Sequence, residues 1–101
     1  MIAQPAGGAI QSTSWALKES VSFDRERVTT HDWASYPILR FPAAPRVTVE
    51  LLNRPGERSL GAGEGAQGPW VAAIANAFSH ATGRRLRDLP LTPDRVKAAL
   101  G

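Results

Sequence analysis

The chain contains no cysteine, which excludes a disulfide, a thiolate metal site and any iron–sulfur ligand within it. Histidine is nearly as scarce. His31 and His80 are the only two, fewer than the three or four protein ligands that a zinc site takes. No apolar run approaches the roughly 18 residues of a membrane-spanning helix, and the amino end MIAQPAGGAIQ has neither the basic stretch nor the long apolar core of a secretory signal. There is no internal repeat and no low-complexity tract. Acidic residues are outnumbered only slightly, with 9 Asp+Glu against 12 Lys+Arg and a formal net charge of +3. The basic residues scatter, and the densest group is Arg84, Arg85 and Arg87. Such a group reads as a solvated surface after a helix, so no nucleic-acid partner is expected.

What remains is a chain that must bury something. Hydrophobic residues make up 43% and charged residues 21% of its 101 positions, a composition outside the disordered class and a length for one domain or a piece of one. GGAIQSTSWALKESV, residues 7–21, carries Ile10, Leu17 and Val21 near helical spacing. The small residues between them would let another backbone or a ligand come close. Val21, Phe23 and Val28 around an Asp-Arg-Glu turn predict a short hairpin. Residues 33–41 are Pro-punctuated and aromatic, a packed loop.

RVTVELL, residues 46–52, alternates Val47, Val49 and Leu51 against Thr48 and Glu50, the clearest strand pattern in the chain. Asn53, Arg54, Pro55 and Gly56 end it with a turn. PWVAAIANAFSHATG predicts a helix from Pro69 to a stop at Gly83, with Trp70, Ile74 and Phe78 in one ridge and so few polar positions that it should be buried on most sides. LTPDRVKAALG predicts a short helix capped by Thr92, with Pro93 first and Val96, Ala99 and Leu100 inward. The expected class is therefore α+β, about three helices with a few antiparallel strands. It is incomplete as a domain, because one strong strand cannot make a sheet.

Between strand and helix lies LGAGEGAQGP, residues 60–69, in which Glu64 is the lone ionisable group among glycines and alanines. GAGEGA satisfies the loose dinucleotide pattern G-x-G-x-x-G/A. Its context is wrong, because no hydrophobic strand leads directly into it and the helix starts later. His31 beside Asp32, and His80 after Ser79, lack a third partner at useful spacing for nucleophilic catalysis. Glu64 has a plain reading, a loop carboxylate favouring the amino end of the next helix, and a chemical one. Bare backbone around a carboxylate lets a bulky ligand approach, and a partly desolvated carboxylate is a natural general base.

Three blocks carry a resemblance: QPAGGAIQSTSWALKESVSFD from Gln4, SYPILRFPAAPRVTVELL from Ser35 and GAGEGAQGPWVAAIANAFSHATGRRLRDLPLTPDRVKAAL from Gly61. Together they resemble the molybdopterin-binding large subunits of the molybdenum hydroxylases, the xanthine dehydrogenase and aldehyde oxidase group, and most of all the beta subunits of the isoquinoline 1-oxidoreductase branch. The resemblance implies that residues 1–101 are the carboxyl-terminal segment of a molybdopterin cofactor-binding domain. The complete enzyme would oxidise an aldehyde or N-heterocycle with oxygen drawn from water. Glu64 matches the family's active-site base, Gln4 the glutamine that touches the pterin side of the cofactor, and Gly7, Gly8 and Gly63 the glycines beside these two. Ala6 stands where the family pattern Q-x-E-G-G has its acid. The implied partners are the remainder of the large subunit, an iron–sulfur subunit and a small-molecule substrate, with a molybdopterin-type molybdenum cofactor in the complete subunit and no protein side chain as metal ligand. The competing reading is a non-catalytic remnant, an interaction module that docks on a larger partner through exposed apolar helix faces.

Overall fold

The computed structural model describes residues 2–101. Three helices are joined by long irregular connections: α1 (Ala3–Leu17), α2 (Gln67–Thr82) and α3 (Pro93–Leu100), with a single 3-10 turn at Phe41–Ala43. α1 buries Gly8, Ala9, Ser12, Thr13 and Ala16, positions that recur every three to four residues and so lie along one side of the helix. Gly7 and Gly8 each cost a helix roughly 0.5–1 kcal/mol relative to Ala, so packing rather than propensity holds this segment helical. The hydroxyls of its buried side are satisfied locally: Ser12 Oγ donates to the Gly8 carbonyl at 2.7 Å and Thr13 Oγ1 to that of Ala9 at 2.9 Å.

α2 lies against α1. Trp70 Nε1 donates to Thr13 Oγ1 at 2.8 Å, and a Cβ built on Gly8 would stand 3.4 Å from the Ala66 Cβ. Position 8 meets 66 and position 13 meets 70, so the helices run in the same direction over this stretch. Pro69 falls in the first turn of α2, where its missing N–H has no intrahelical partner to lose. The helix stops at Gly83, whose left-handed φ of 69° suits glycine and whose N–H bonds to the Ser79 carbonyl. α3 starts as its sequence requires, with Thr92 Oγ1 accepting from the Arg95 N–H at 3.4 Å and Pro93 in the first position. Just ahead of it, the Leu91 N–H donates to the Ala16 carbonyl at 2.6 Å. The loop at residues 35–41 is pinned to α1 by the Leu39 N–H, which donates to Ser14 Oγ at 2.8 Å.

The expectation of an α+β class is overturned: among the described residues the architecture is all-α, with no strand and no sheet. The hairpin at residues 21–28 reduces to one antiparallel bridge between Phe23 and Val28. Asp24 closes it by accepting from the N–H groups of Glu26 and Arg27, bonds that lower its carboxyl pKa. Residues 46–50 keep the burial rhythm of a strand, with Val47 and Val49 half-buried between exposed Arg46, Thr48 and Glu50, but Leu51, expected on the same side as the valines, is exposed. Among the described residues, however, none of their backbone groups is hydrogen-bonded. Alternation records where side chains prefer to sit; a ladder also needs a neighbour. α2 differs from expectation as well, since none of its residues is fully buried.

The buried apolar set is Ala9, Ala16 and Leu91, while Phe41 is 94% and Leu52 85% exposed. The accessible surface is 8165 Å², against about 5,500 Å² for a compact monomer of this mass. The radius of gyration, 16.4 Å, likewise exceeds the roughly 13 Å of a compact domain. In solution the chain alone is expected to melt over a broad range and to bind an apolar fluorescent dye at ambient temperature. A sharp, cooperative transition of a monomer in calorimetry would contradict this.

One further joint ties α1 to the loop after it. The Tyr36 hydroxyl donates to Glu19 Oε2 at 2.8 Å. This bond above all, then desolvation and the carboxylate charge, raise the phenol pKa above its ordinary value. A folded-state pKa above the unfolded one means that the contribution is complete below about pH 10 and is lost as pH rises through the folded value. Tyr36 is the sole tyrosine, so tyrosinate absorbance follows it directly. Its midpoint should lie above that of a free phenol and fall back in Glu19→Gln.

Candidate active site

Gln4 and the glycine loop, 59 residues apart in sequence, meet. Gln4 lies in the first turn of α1, and its Nε2 donates to the Gly63 carbonyl at 3.3 Å. One turn further along, Gly8 is buried against Ala66; a larger side chain there would push the loop away. Glu64 follows Gly63 and its carbonyl accepts from the Gln67 N–H at 3.1 Å, so the loop is fastened at one end by Gln4 and at the other by the entry of α2. The Glu64 side chain is exposed and, among the described residues, makes no hydrogen bond or ion pair. Neither α1 nor α2 has a side-chain cap or an acidic residue in its first turn.

The backbone here is open. A Cβ built on Gly7, Gly61, Gly63 or Gly65 would meet nothing within 4 Å, so the loop presents bare peptide groups beside a single carboxylate. Four of the residues singled out in the sequence, Gln4, Gly8, Gly63 and Glu64, thus gather at the amino ends of α1 and α2, with Gly7 on the exposed side of α1.

Two features escaped sequence reasoning. The buried hydroxyls of α1 are joints: Thr13 holds α2 through Trp70, and Ser14 holds residue 39. The signal was available in STS at residues 12–14, three short hydroxyl side chains able to bond backbone. The second is an open apolar groove of about 530 Å³ on the flank of α2, lined by Trp15, Gln67, Val71, Ala75, Leu86 and Leu89 among others. It shares Gln67 with the entry of α2. His31 and Asp32 build a turn. His31 Nδ1 lies 2.7 Å from the Thr29 carbonyl, and Asp32 takes the hydroxyl of Ser35 and two backbone N–H groups, bonds that hold its pKa below the ordinary range, the Ser35 hydroxyl most of all. Among the described residues no group of three His, Asp or Glu side chains is placed to hold a metal, and no helix is long and apolar enough to cross a membrane.

The relatives of this chain, with its glycine loop and incomplete core, are oxidoreductases, most of them named as subunits. The chain is 53% identical over 95 residues, 94% of its length, to a nicotinate dehydrogenase subunit of Pseudomonas putida, and covers 8% of that protein. Over 91 residues, 90% of the chain, it is 35% identical to the beta subunit of isoquinoline 1-oxidoreductase from Brevundimonas diminuta, covering 12% of it. A membrane-bound aldehyde dehydrogenase of Gluconacetobacter polyoxogenes, named for pyrroloquinoline quinone, is 31% identical over 97% of the chain, again 12% of the relative. By sequence the chain is similar to subunits of the molybdenum hydroxylase family, and it spans 8–12% of the length of these relatives. No family model matches it.

Proposed function

We propose that residues 1–101 form the carboxyl-terminal segment of the cofactor-binding subunit of a molybdenum-dependent hydroxylase, with Glu64 as its active-site base. The observation that carries this reading is the bond between Gln4 and Gly63, which unites the two motifs that the family resemblance assigns to one cofactor site. The residues fit such a group. Gly7 and Gly63 offer peptide N–H and carbonyl groups with no side chain in the way, and the uncapped amino ends of two helices favour negative charge on a ligand. Gln4 would hold the loop and face the pterin side, and Gly8 would keep α1 close enough to do so.

When bound, the molybdenum cofactor would supply the redox chemistry, with iron–sulfur clusters of a partner subunit as the electron outlet that the family resemblance implies. Glu64 would accept the proton released as water-derived oxygen becomes a nucleophile toward an electron-poor carbon. A carboxylate with no internal partner is free to do this, and its loop is anchored at both ends, which limits the entropy lost in aiming it. An aldehyde or N-heterocycle is the substrate class that the names of the relatives support. The quinone in the third name is not carried over, because the two relatives with higher identity favour molybdenum.

The remnant or docking-module reading draws on the exposed Phe41 and Leu52, which call for a large partner under either reading. Co-expression of the chain with the remainder of the subunit, followed by elemental analysis, separates the two. Molybdenum is expected in the assembled subunit and none in the chain alone. Stoichiometric metal on the chain alone, or an assembled subunit without metal, would overturn the proposal.

A further inference from the structure

The unpaired segment at residues 46–52 is self-complementary, and we infer that two copies of this chain associate by pairing these segments antiparallel about a twofold axis at Thr48. The segment carries the alternation of a strand, yet among the described residues its backbone donors and acceptors have no partner. Such an edge is a template for another strand. A twofold axis through a residue keeps the faces matched, so Val47 and Val49 of one copy stay on the same side as those of the other. An axis between residues would set apolar positions opposite polar ones.

Every residue-centred register preserves the faces, and an axis on Arg46 or Glu50 would set that charge against its own copy. Centred on Val47, Arg46 lies opposite Thr48 and Glu50 opposite Ala44. Centred on Val49, Arg46 lies opposite Leu52 and Glu50 opposite Thr48. Centred on Thr48, each Arg46 faces Glu50 of the other copy, Val47 faces Val49, and the threonines face each other. Opposite charges, β-branched pairs and Thr–Thr pairs are the favourable cross-strand combinations.

Pro45 agrees with the same register. It has no N–H, so its pair with Leu51 must be one in which residues do not exchange backbone bonds. Counting inward, Val47 and Val49 then form the close non-bonded pairs, and Arg46, Thr48 and Glu50 form the bonded ones. Arg46, Thr48 and Glu50 are also exposed, free to meet a second copy. This pairing does not depend on the activity proposed above.

The test uses the full chain, by sedimentation over a concentration series with hydrogen exchange resolved by residue. A dimer is expected in which the amides of Arg46, Thr48 and Glu50 are protected and those of Val47 and Val49 are not. Arg46→Glu and Glu50→Arg should each weaken self-association on the order of tenfold, because each sets like charges opposite one another. Mixed one to one, the two variants should associate with each other, since every pair is again of opposite sign. A monomer, with the edge left for a strand from the rest of a longer subunit, would overturn the inference. So would association that the single variants leave unchanged, or a mixture that fails to restore it.

Discussion

In an assembled subunit carrying this segment, Glu64→Gln should lower turnover by about 10² to 10⁴ while folding and molybdenum content stay near normal. Glutamine is nearly isosteric, and the Glu64 side chain is exposed without an internal partner, so nothing in the fold depends on its charge. The backbone bond from the Gln67 N–H to the carbonyl of residue 64 is untouched by the exchange. What is lost is a proton acceptor. General-base catalysis is worth about 10² to 10⁴ in rate, or roughly 3 to 5 kcal/mol of barrier. The loss should fall on kcat rather than on substrate binding, because the proton moves only on the way to the transition state. Glu57 is the control. It is exposed in the turn where its N–H bonds to the Arg54 carbonyl at 3.1 Å, and Glu57→Gln should change the rate less than about threefold, as for a solvated surface charge. Rapid-mixing kinetics of the reductive half-reaction checks both. If Glu64→Gln reduces as fast as the parent at full molybdenum content, Glu64 is not the base.

The helices were legible where they end in residues with a single physical use. Gly83 and Thr92 mark boundaries because left-handed backbone and an N-terminal hydroxyl cap are jobs few residues do, and both stand where expected. Starts were less legible. α1 begins at Ala3 rather than near Gly7, and α2 at Gln67 ahead of Pro69, since proline is tolerated throughout a first turn. The burial of α2 could not be read from composition. An alanine-rich helix is compatible with cover on every side, but cover is a property of neighbours, and Ala72, Ala73 and Ala77 are exposed. The same reason removed the expected strands, whose partners no local pattern supplies. Of the site, the glycine loop and Gln4 were visible as motifs, whereas their meeting rests on how closely α1 and α2 approach.

That close approach is the most easily broken feature of the chain, and Ser12→Leu should break it. Ser12 is fully buried on the side of α1 that meets α2, one turn beyond Gly8, where even an added methyl would already touch Ala66. A leucine must push the helices apart or leave its preferred rotamers, and overpacking of this kind costs typically about 1–3 kcal/mol. A larger domain could absorb that. Here the buried apolar set is three residues, so the same cost should remove most of the helical circular dichroism of the isolated chain, and separation of the helices would release Trp70 from Thr13 and Gln4 from Gly63. Ser12→Ala should do neither. The Ser12 hydroxyl bonds only a carbonyl of its own helix, an interaction that slightly weakens helices, and alanine is the better helix former by at most about 0.7 kcal/mol. The contrast isolates size from polarity: α1 needs a small residue at this position and has little use for the hydroxyl. Should Ser12→Leu keep the helical signal and the tryptophan fluorescence of Ser12→Ala, then α1 and α2 are not in contact there, and the geometry that brings Gln4 to the Glu64 loop loses its support.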